Sequence, residues 1–529
     1  MVDMTPSQTH GFLLPHDLDV VRLVQLLGGE RDCRMEDVAD FSLQFFDSFD
    51  WRLAGADLRL FQLETPHGKL LRLKQGGDGE VLESVEFDGL PVWPADLPPG
   101  ALRDRVGELL EMRVLLPLVT VRGSATDLCL LNDDGKTVVR LQLLRLSSES
   151  SEVSEPRSLW PRLRILPVKG YADDADALIA RLSDEHEWPQ APGCLFEESL
   201  AAVGREPGDY SSKLTLSIRP RRMAVDAMRR ILLTLLDTIE RNVEGTRANL
   251  DSEFLHDLRV ATRRTRSALG QVKRVLPDAM VADFKERFAW LGQVTGPTRD
   301  LDVFLLELPL YRASLPVAMR ADLDPLQQLI ERDHKREQEK LAAELDGERF
   351  RSLLADWRAL LEADEFPGEP GWFADLPIER VASRRIWRVY KRVLSDGRAA
   401  VAHGEPEAMH ELRKDCKKLR YLIEFFRGLY PAEDLKGVVR TLKKLLDNLG
   451  EFQDKEVQAE HLRLLAAEFD PTQPGYRSAL LAIGALVADS LRAQEAAHAR
   501  FADRFAAFDS AENRARYKAL FKTQHESTS

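Results

Sequence analysis

Two stretches of this chain set a histidine among arginines and lysines at helical spacing. The first is "HDLRVATRRTRSAL", beginning at His256, and the second is "HELRKDCKKLRYLI", beginning at His410. Both open with His, an acid, Leu and Arg. At about 100° per residue, Arg259, Arg263, Arg266 and Lys273 share one helical arc with His256. In the second stretch His410, Arg413, Lys417, Arg420 and Arg427 share an arc, while Arg264, Lys414 and Lys418 extend the charge sideways. Another arc of each helix is apolar, partly overlapping the edge of the charged one in the first copy: Leu255, Leu258 and Leu269 there, Leu412, Leu419 and Ile423 in the other. Residues 256–274 hold six Lys/Arg against one acid, and residues 410–428 hold six against three. Like charges at this spacing cost roughly 0.2–0.5 kcal/mol per pair. A chain that accepts the cost twice keeps the charge for an anion. Arginine suits phosphate because its guanidinium donates in a fork, and lysine adds a compact charge. Histidine adds a donor whose charge rises as pH falls. A solvated helix face explains one such stripe; the repetition in register argues against that explanation for both.

The repetition extends well beyond the stripes. His410 follows His256 by 154 residues (410 − 256), and Leu258/Leu412, Arg259/Arg413, Arg266/Arg420, Pro277/Pro431, Gly296/Gly450, Asp300/Asp454 and Val303/Val457 keep that offset. Upstream, "MRRILLTLL" (228–236) matches "SRRIWRVYK" (383–391) with one residue gapped. From about residue 212 the pattern is helical with Gly and Pro as punctuation, so this half reads as two tandem bundles of four or so helices. Asp300 and Asp454 are assigned to helix starts or to holding arginines, not to a metal.

The first 187 residues have a different texture. Residues 41–49, 57–66 and 68–75 alternate as short strands, 101–111 as a short helix, and 116–146 as strands around a turn at Asp133-Asp134-Gly135. Residues 147–158 are a polar loop, "RLRILPV" a strand, and "DDADALIARLSDEHEW" a helix with acids at its N-terminal end. The fold class is therefore multidomain: an α+β unit at 1–187, a linker at 188–211, an all-α unit at 212–515 with repeats at about 212–365 and 366–515, and a tail at 516–529.

Bulk properties limit the function classes. A chain of 529 residues suggests two or three domains. It carries 44% hydrophobic and 30% charged residues, so it is globular. The net charge of −13 argues against a general nucleic-acid coat, although a local basic site remains compatible with it. The four cysteines, Cys33, Cys129, Cys194 and Cys416, lack metal-type spacing and read as reduced thiols. No signal peptide and no spanning helix are expected, which places the protein in the cytoplasm.

The paired His-acid-Leu-Arg motifs, with "WLGQVTGPTRDLDVFL" (290–305) and "LLDNLGEFQDKEVQAEHL" (445–462), resemble the CHAD domain, the conserved histidine α-helical domain, over about 212–515. The resemblance implies two four-helix bundles related by pseudo-twofold symmetry and a basic groove for inorganic polyphosphate. Carried over, the polyphosphate-binding set is His256, Arg259, Arg263, Arg264, Arg266, Lys273, His410, Arg413, Lys414, Lys417, Lys418, Arg420 and Arg427. The physics agrees, since polyphosphate has no bases to stack or read and needs many cations and few aromatics. Tyr421 is the one aromatic beside a stripe. The segments 44–75 and 119–143 resemble the CYTH domain, an antiparallel β-barrel with a triphosphate tunnel. That family opens with a Glu-x-Glu-x-Lys strand, but here "HGFLLPHDL" (10–18) stands in its place, and "RLRILPVKG" (162–170) stands where a late acidic strand belongs. The bases Arg59, Arg72, Lys74 and Arg122 remain. The unit is therefore expected to be a degenerate CYTH fold without catalytic or metal-binding residues, and the protein a cofactor-free polyphosphate-binding module, possible cargo of polyphosphate granules. The rival readings are a metal-dependent triphosphate or polyphosphate hydrolase of the CYTH type and a nucleic-acid or protein scaffold. Neither a membrane nor nucleic acid is the expected partner, and the oligomeric state is open.

Overall fold

A computed structural model describes residues 10–28, 31–77, 79–151, 153–191, 195–214, 216–472 and 475–522. Cys194 and the last seven residues of the expected tail lie outside this set. The chain forms two compact units, Met1–Ser211 and Ser212–Ser529.

Unit 1 contains β1 (His10–Leu13), α1 (Val20–Gly28), β2 (Cys33–Asp47), α2 (Arg52–Gly55), β3 (Leu58–Thr65), β4 (Gly68–Gln75) and β5 (Val81–Glu86). It continues with α3 (Ala101–Leu110), β6 (Leu116–Leu131), β7 (Thr137–Glu149), β8 (Arg157–Ser158), β9 (Arg162–Pro167), α4 (Ala172–Glu185) and α5 (Leu195–Ala202). The strands make one antiparallel sheet in the order β1-β9-β7-β6-β2-β3-β4-β5, with β8 added to β7. Its two end strands, β1 and β5, do not pair with each other among the described residues. The alternation along β2 and β3 puts Leu43, Phe45, Phe61 and Leu63 in one apolar cluster with Phe196 and Leu200 of α5. A second cluster packs α1 and α4 on β1, β7 and β9. The stretch 117–131 forms one long strand, not two, bent where its register on β2 shifts. Residues 195–202, expected within the linker, belong to the sheet unit. Phe196 and Leu200 bury their side chains, and Ser148 Oγ donates to the Ser199 carbonyl at 2.8 Å.

Unit 2 is helical: α6 (Ala224–Arg247), α7 (Ser252–Gln271), α8 (Asp278–Val294), α9 (Gly296–Ser314), α10 (Asp324–Leu345), α11 (Glu348–Glu362), α12 (Ile378–His403), α13 (Pro406–Phe426), α14 (Ala432–Ala467), α15 (Tyr476–Phe508) and α16 (Ala511–Phe521). The starts of α6, α7 and α8 lie 154 residues before those of α12, α13 and α14 (378 − 224, 406 − 252, 432 − 278). The gap expected upstream is therefore not needed at the helix start. In the first repeat Pro297 removes an amide donor and the chain starts a new helix, α9; in the second, Glu451 stands at the matching position and α14 runs through for 36 residues. α16 passes the expected domain end at 515, because Tyr517 and Phe521 are buried in the main core.

Reciprocal contacts define a pseudo-twofold axis between the repeats. The Ala224 amide donates to the Leu376 carbonyl at 2.9 Å, and its mate Ile378 donates to Arg222, the mate of Leu376, at 2.9 Å. Farther along, Phe304 of α9 meets the His461 ring of α14 edge-on at 4.5 Å, while the equivalent pair, Gln458 and Glu307, hydrogen-bonds at 2.8 Å. Such mutual exchange is the signature of an isologous contact, here within one chain. The two repeats also share their apolar interior: the largest cluster takes residues from α6, α7, α8 and α11 and from α12, α13, α14 and α16.

Candidate anion-binding site

α7 and α13 pack against each other across the axis. Each begins 154 residues from the other but is started differently. Asp251 caps α7, its carboxylate accepting from the Glu253 and Phe254 amides at 2.9 and 3.3 Å. α13 instead begins with Pro406, whose ring presets the first helical turn. α6 and α7 approach so closely that a Cβ on Gly245 would lie 2.3 Å from the Phe254 ring. The apolar sides Leu255, Leu258 and Leu269, and Leu412, Leu419 and Ile423, are buried as the spacing requires.

The charged sides divide into two groups. The first is a row that crosses the axis. Arg259 lies within the field of Arg263, and Arg263 lies within the field of Lys417. Arg263 and Lys417 are equivalent residues of the two repeats. Lys417 in turn feels Arg413 and Arg420. Burial first, and then these three arginines, push the Lys417 amine down to about 8, with Asp454 opposing them. Among the described residues Lys417 makes no ion pair and no hydrogen bond. Burial, with the neighbouring Arg263 and Arg299, also lowers the Arg259 pKa, against the pull of Asp300. The row is held from behind. Arg259 donates to the Gly292 carbonyl at 3.0 Å and to Thr295 Oγ1 at 2.8 Å. Arg413 donates to Asp454 at 2.8 Å, and His410 meets Gln453. Arg263 lies 6.0 Å from the centre of the Tyr421 ring. His256 is half-buried on the same helix.

The second group is spent on the protein's own acids or leaves the helix. Arg264 donates to the Ser212 carbonyl at 2.9 Å and to Glu424 at 3.3 Å. Lys414 pairs with Glu411, and Lys418 with Asp415 at 2.5 Å. Arg420 pairs with Glu424 at 2.7 Å but stays 54% exposed, so it can turn to a ligand. Arg266 is exposed, with one guanidinium nitrogen beside Gly292. Lys273 and Arg427 fall outside the helical stripe. α7 ends at Gln271 and the chain turns at Arg274, where φ is +63°, while Arg427 opens a 3-10 turn after α13.

Asp300 and Asp454 stand beside the arginines of their own repeats, but neither begins a helix: Asp454 lies in the middle of α14. The sequence pattern missed Arg299, which joins the row's field beside Arg259 and donates to the Ser252 carbonyl at 3.2 Å. Its mate is Gln453, so no doubled charge marks it.

Residues 230–463 match the family model of the CHAD domain. The helical unit carries a CHAD domain. Two uncharacterised Mycobacterium tuberculosis proteins are 28% identical to this chain over 311 residues, which is 57% of this chain and 56% of theirs. The chain thus matches little more than half the length of these relatives. A CHAD domain structure from Ricinus communis is similar at 24% identity and a TM-score of 0.46, covering 59% of this chain and 98% of its own. A Hippeastrum protein described as an adenylyl cyclase candidate with dominant triphosphatase activity is similar at 13% identity and a TM-score of 0.27, covering 38% of this chain and 99% of its own.

In the sheet unit, β1 pairs with β9, and neither strand carries an acid. The remaining bases serve the unit itself. Arg59 pairs with Glu197 at 2.8 Å and Arg122 with Glu149 at 2.9 Å, Arg72 reaches Ser84 Oγ at 3.4 Å, and Lys74 donates to the Gly77 carbonyl. Among the described residues no helix is long and apolar enough to cross a membrane.

Proposed function

We propose that the CHAD domain binds inorganic polyphosphate along the row Arg259–Arg263–Lys417–Arg413, with Arg420 and the two histidines flanking it. One observation carries this reading: equivalent cations from the two repeats, Arg263 and Lys417, stand in each other's field, with the lysine amine depressed to about 8 and unpaired among the described residues. Such a cluster is unfavourable without an anion and favourable with one. A row crossing a twofold axis suits a ligand that repeats the same charge along its length, because both directions of the chain look alike to it. Polyphosphate is such a ligand, and the scarcity of aromatics along the row fits an anion with nothing to stack. The protein then acts by binding and not by covalent chemistry, and recruitment to polyphosphate granules is the consequence proposed for the cell.

The test is the affinity of the full chain for fluorescent long-chain polyphosphate, compared with Arg263→Glu/Lys417→Glu and Arg259→Glu/Arg413→Glu. Equal affinity in all three would overturn the reading. Phosphate release from tripolyphosphate with magnesium or manganese, followed in parallel, separates binding from hydrolysis.

A further inference from the structure

Lys273 leads to a second basic site on the CHAD domain, one whose charges the repeat duplicates only in part. It lines a cleft of about 630 Å³ with Arg274, Arg380, Arg384, Arg385 and Arg388. The other walls are Trp372, Phe373, Leu376 and Val381. Six of the ten lining residues are cations and none is an acid.

Arg380, Arg384 and Arg388 follow one another at four-residue steps on α12, so they form a single ridge. Arg385 lies deeper, and its Nε is buried without a partner among the described residues. Burial and then Arg388, Arg392 and Arg384 lower its pKa. None of the six lining cations forms an ion pair among the described residues.

The aromatic wall is fixed in place. The Phe373 amide donates to the Arg274 carbonyl at 2.7 Å, and a Cβ on Gly371 would fall 2.5 Å from the Arg274 backbone. Arg384 lies 5.4 Å from the centre of the Phe373 ring. Trp372, between these anchors, leaves 85% of its surface exposed. A large apolar ring held in water beside a cationic cleft is a surface made for a partner. Position for position, the other repeat keeps only part of this charge: Arg230 and Arg427 match Arg384 and Lys273, but Ile218, Asp226, Ile231 and Thr234 stand where Trp372, Arg380, Arg385 and Arg388 do, and Ile218 and Ile231 are buried in the core.

We propose that this cleft binds a nucleoside polyphosphate, with its phosphates among Arg384, Arg385, Arg388 and Lys273 and its base stacked on Trp372. The volume suits a small ligand and not a chain. Arginine forks recognise the phosphates. An indole gives a planar base a stacking partner, and inorganic polyphosphate offers it nothing.

Isothermal titration of the full chain with ATP, GTP and inorganic tripolyphosphate tests this. The nucleotides are expected to bind about tenfold more tightly than tripolyphosphate, the gain a single stacked base provides. Trp372→Ala removes that gain and leaves tripolyphosphate unchanged, while Trp372→Phe restores most of it. Arg384→Glu/Arg388→Glu abolishes binding of all three. Arg263→Glu/Lys417→Glu leaves nucleotide binding intact, so failure of the polyphosphate row and failure of the cleft are told apart. Equal affinity for nucleotide and tripolyphosphate, indifferent to Trp372→Ala, would overturn the proposal, as would loss of nucleotide binding in the row variant alone.

Discussion

The CHAD domain presents two cationic surfaces that obey different rules. In the row, the central cations are repeat mates, and each is charged in both copies: Arg259 with Arg413, Arg263 with Lys417. In the cleft only Arg384 and Lys273 have basic mates, Arg230 and Arg427, while α6 carries an acid, an isoleucine and a threonine opposite Arg380, Arg385 and Arg388. The row has one ring at its edge, Tyr421. The cleft has a fully presented indole. Both repeats carry the same helix, and the proposed repetitive ligand would use the two copies alike. A ligand with distinct ends needs only one site, and the unused copy is free to become core. On the two proposals, symmetry in the charge pattern follows the symmetry of the ligand.

The largest expected effect comes from reversing the row. Arg263→Glu/Lys417→Glu places two anions at the axis and is expected to weaken long-chain polyphosphate binding by at least about 100-fold at physiological salt. Arg384→Glu/Arg388→Glu is expected to change the same affinity by less than about threefold, since cleft cations lie outside the row. Fluorescence polarisation with matched circular dichroism spectra checks both. If the two variants lose affinity equally, the two surfaces are one track and the contrast collapses.

Salt dependence sharpens the contrast next. Some five cations neutralising a flexible polyanion give a slope of about −0.7 per contact in log affinity against log salt. Polyphosphate affinity therefore falls about 100-fold between 50 and 200 mM salt. Nucleotide binding, with fewer phosphates and a stacked base, loses about tenfold or less over the same range. Titrations at four salt concentrations decide it.

Why the row was legible and the cleft was not follows from where each signal sits. His256, Arg259 and Arg263 lie on one helix and recur at a fixed offset, so periodicity and duplication both marked them. Arg264 and Lys418 carried the same marks, yet they are spent on Glu424 and Asp415, and no one-dimensional pattern shows which acid a helix neighbour will present. Lys273 falls on the stripe only if the helix continues, but α7 ends at Gln271, ahead of the left-handed turn at Arg274. The cleft brings together residues about 100 positions apart, 273 with 372 and 380, through backbone pairing that only the fold creates. In the sheet unit, strands with clean alternation, such as 68–75, were placed to the residue. The linker stretch leaves room for one short helix, α5, but that it belongs to the sheet unit shows only once Phe196 packs on the sheet.

Lys417 supplies a smaller, signed effect. Its amine titrates near 8 in the free protein, below its usual value, so between about 8 and 10.5 the unfolded chain holds the proton more tightly. The unliganded domain therefore gains stability as pH rises through this window, and the contribution lost below it is the cost of a buried cation. A bound polyanion reverses the preference by holding the proton on. Polyphosphate affinity is expected to fall by up to about 20-fold from pH 7.5 to 9.5 as the free amine deprotonates. Lys417→Arg, charged throughout, flattens the profile. A wild-type affinity independent of pH would place the ligand away from the axis.

The smallest effect concerns the acids behind the row. Arg413 gives a hydrogen bond to Asp454, whose carboxylate is 69% exposed, so the pair adds about 0–1 kcal/mol to stability. Asp454→Asn keeps the shape and removes one negative charge from beside Arg413 and Lys417. Thermal stability should barely move, while polyphosphate affinity rises about two- to threefold and nucleotide affinity in the cleft stays constant. Asp300 is the repeat mate of Asp454, but burial raises its pKa and it shares the field of Arg259 with His461. Asp300 also stands in the field of Arg299 and His461, so Asp300→Asn disturbs more neighbours, and the same substitution should help less there. The two variants together ask whether the row is functionally as symmetric as its cations or only as symmetric as the acids that hold them.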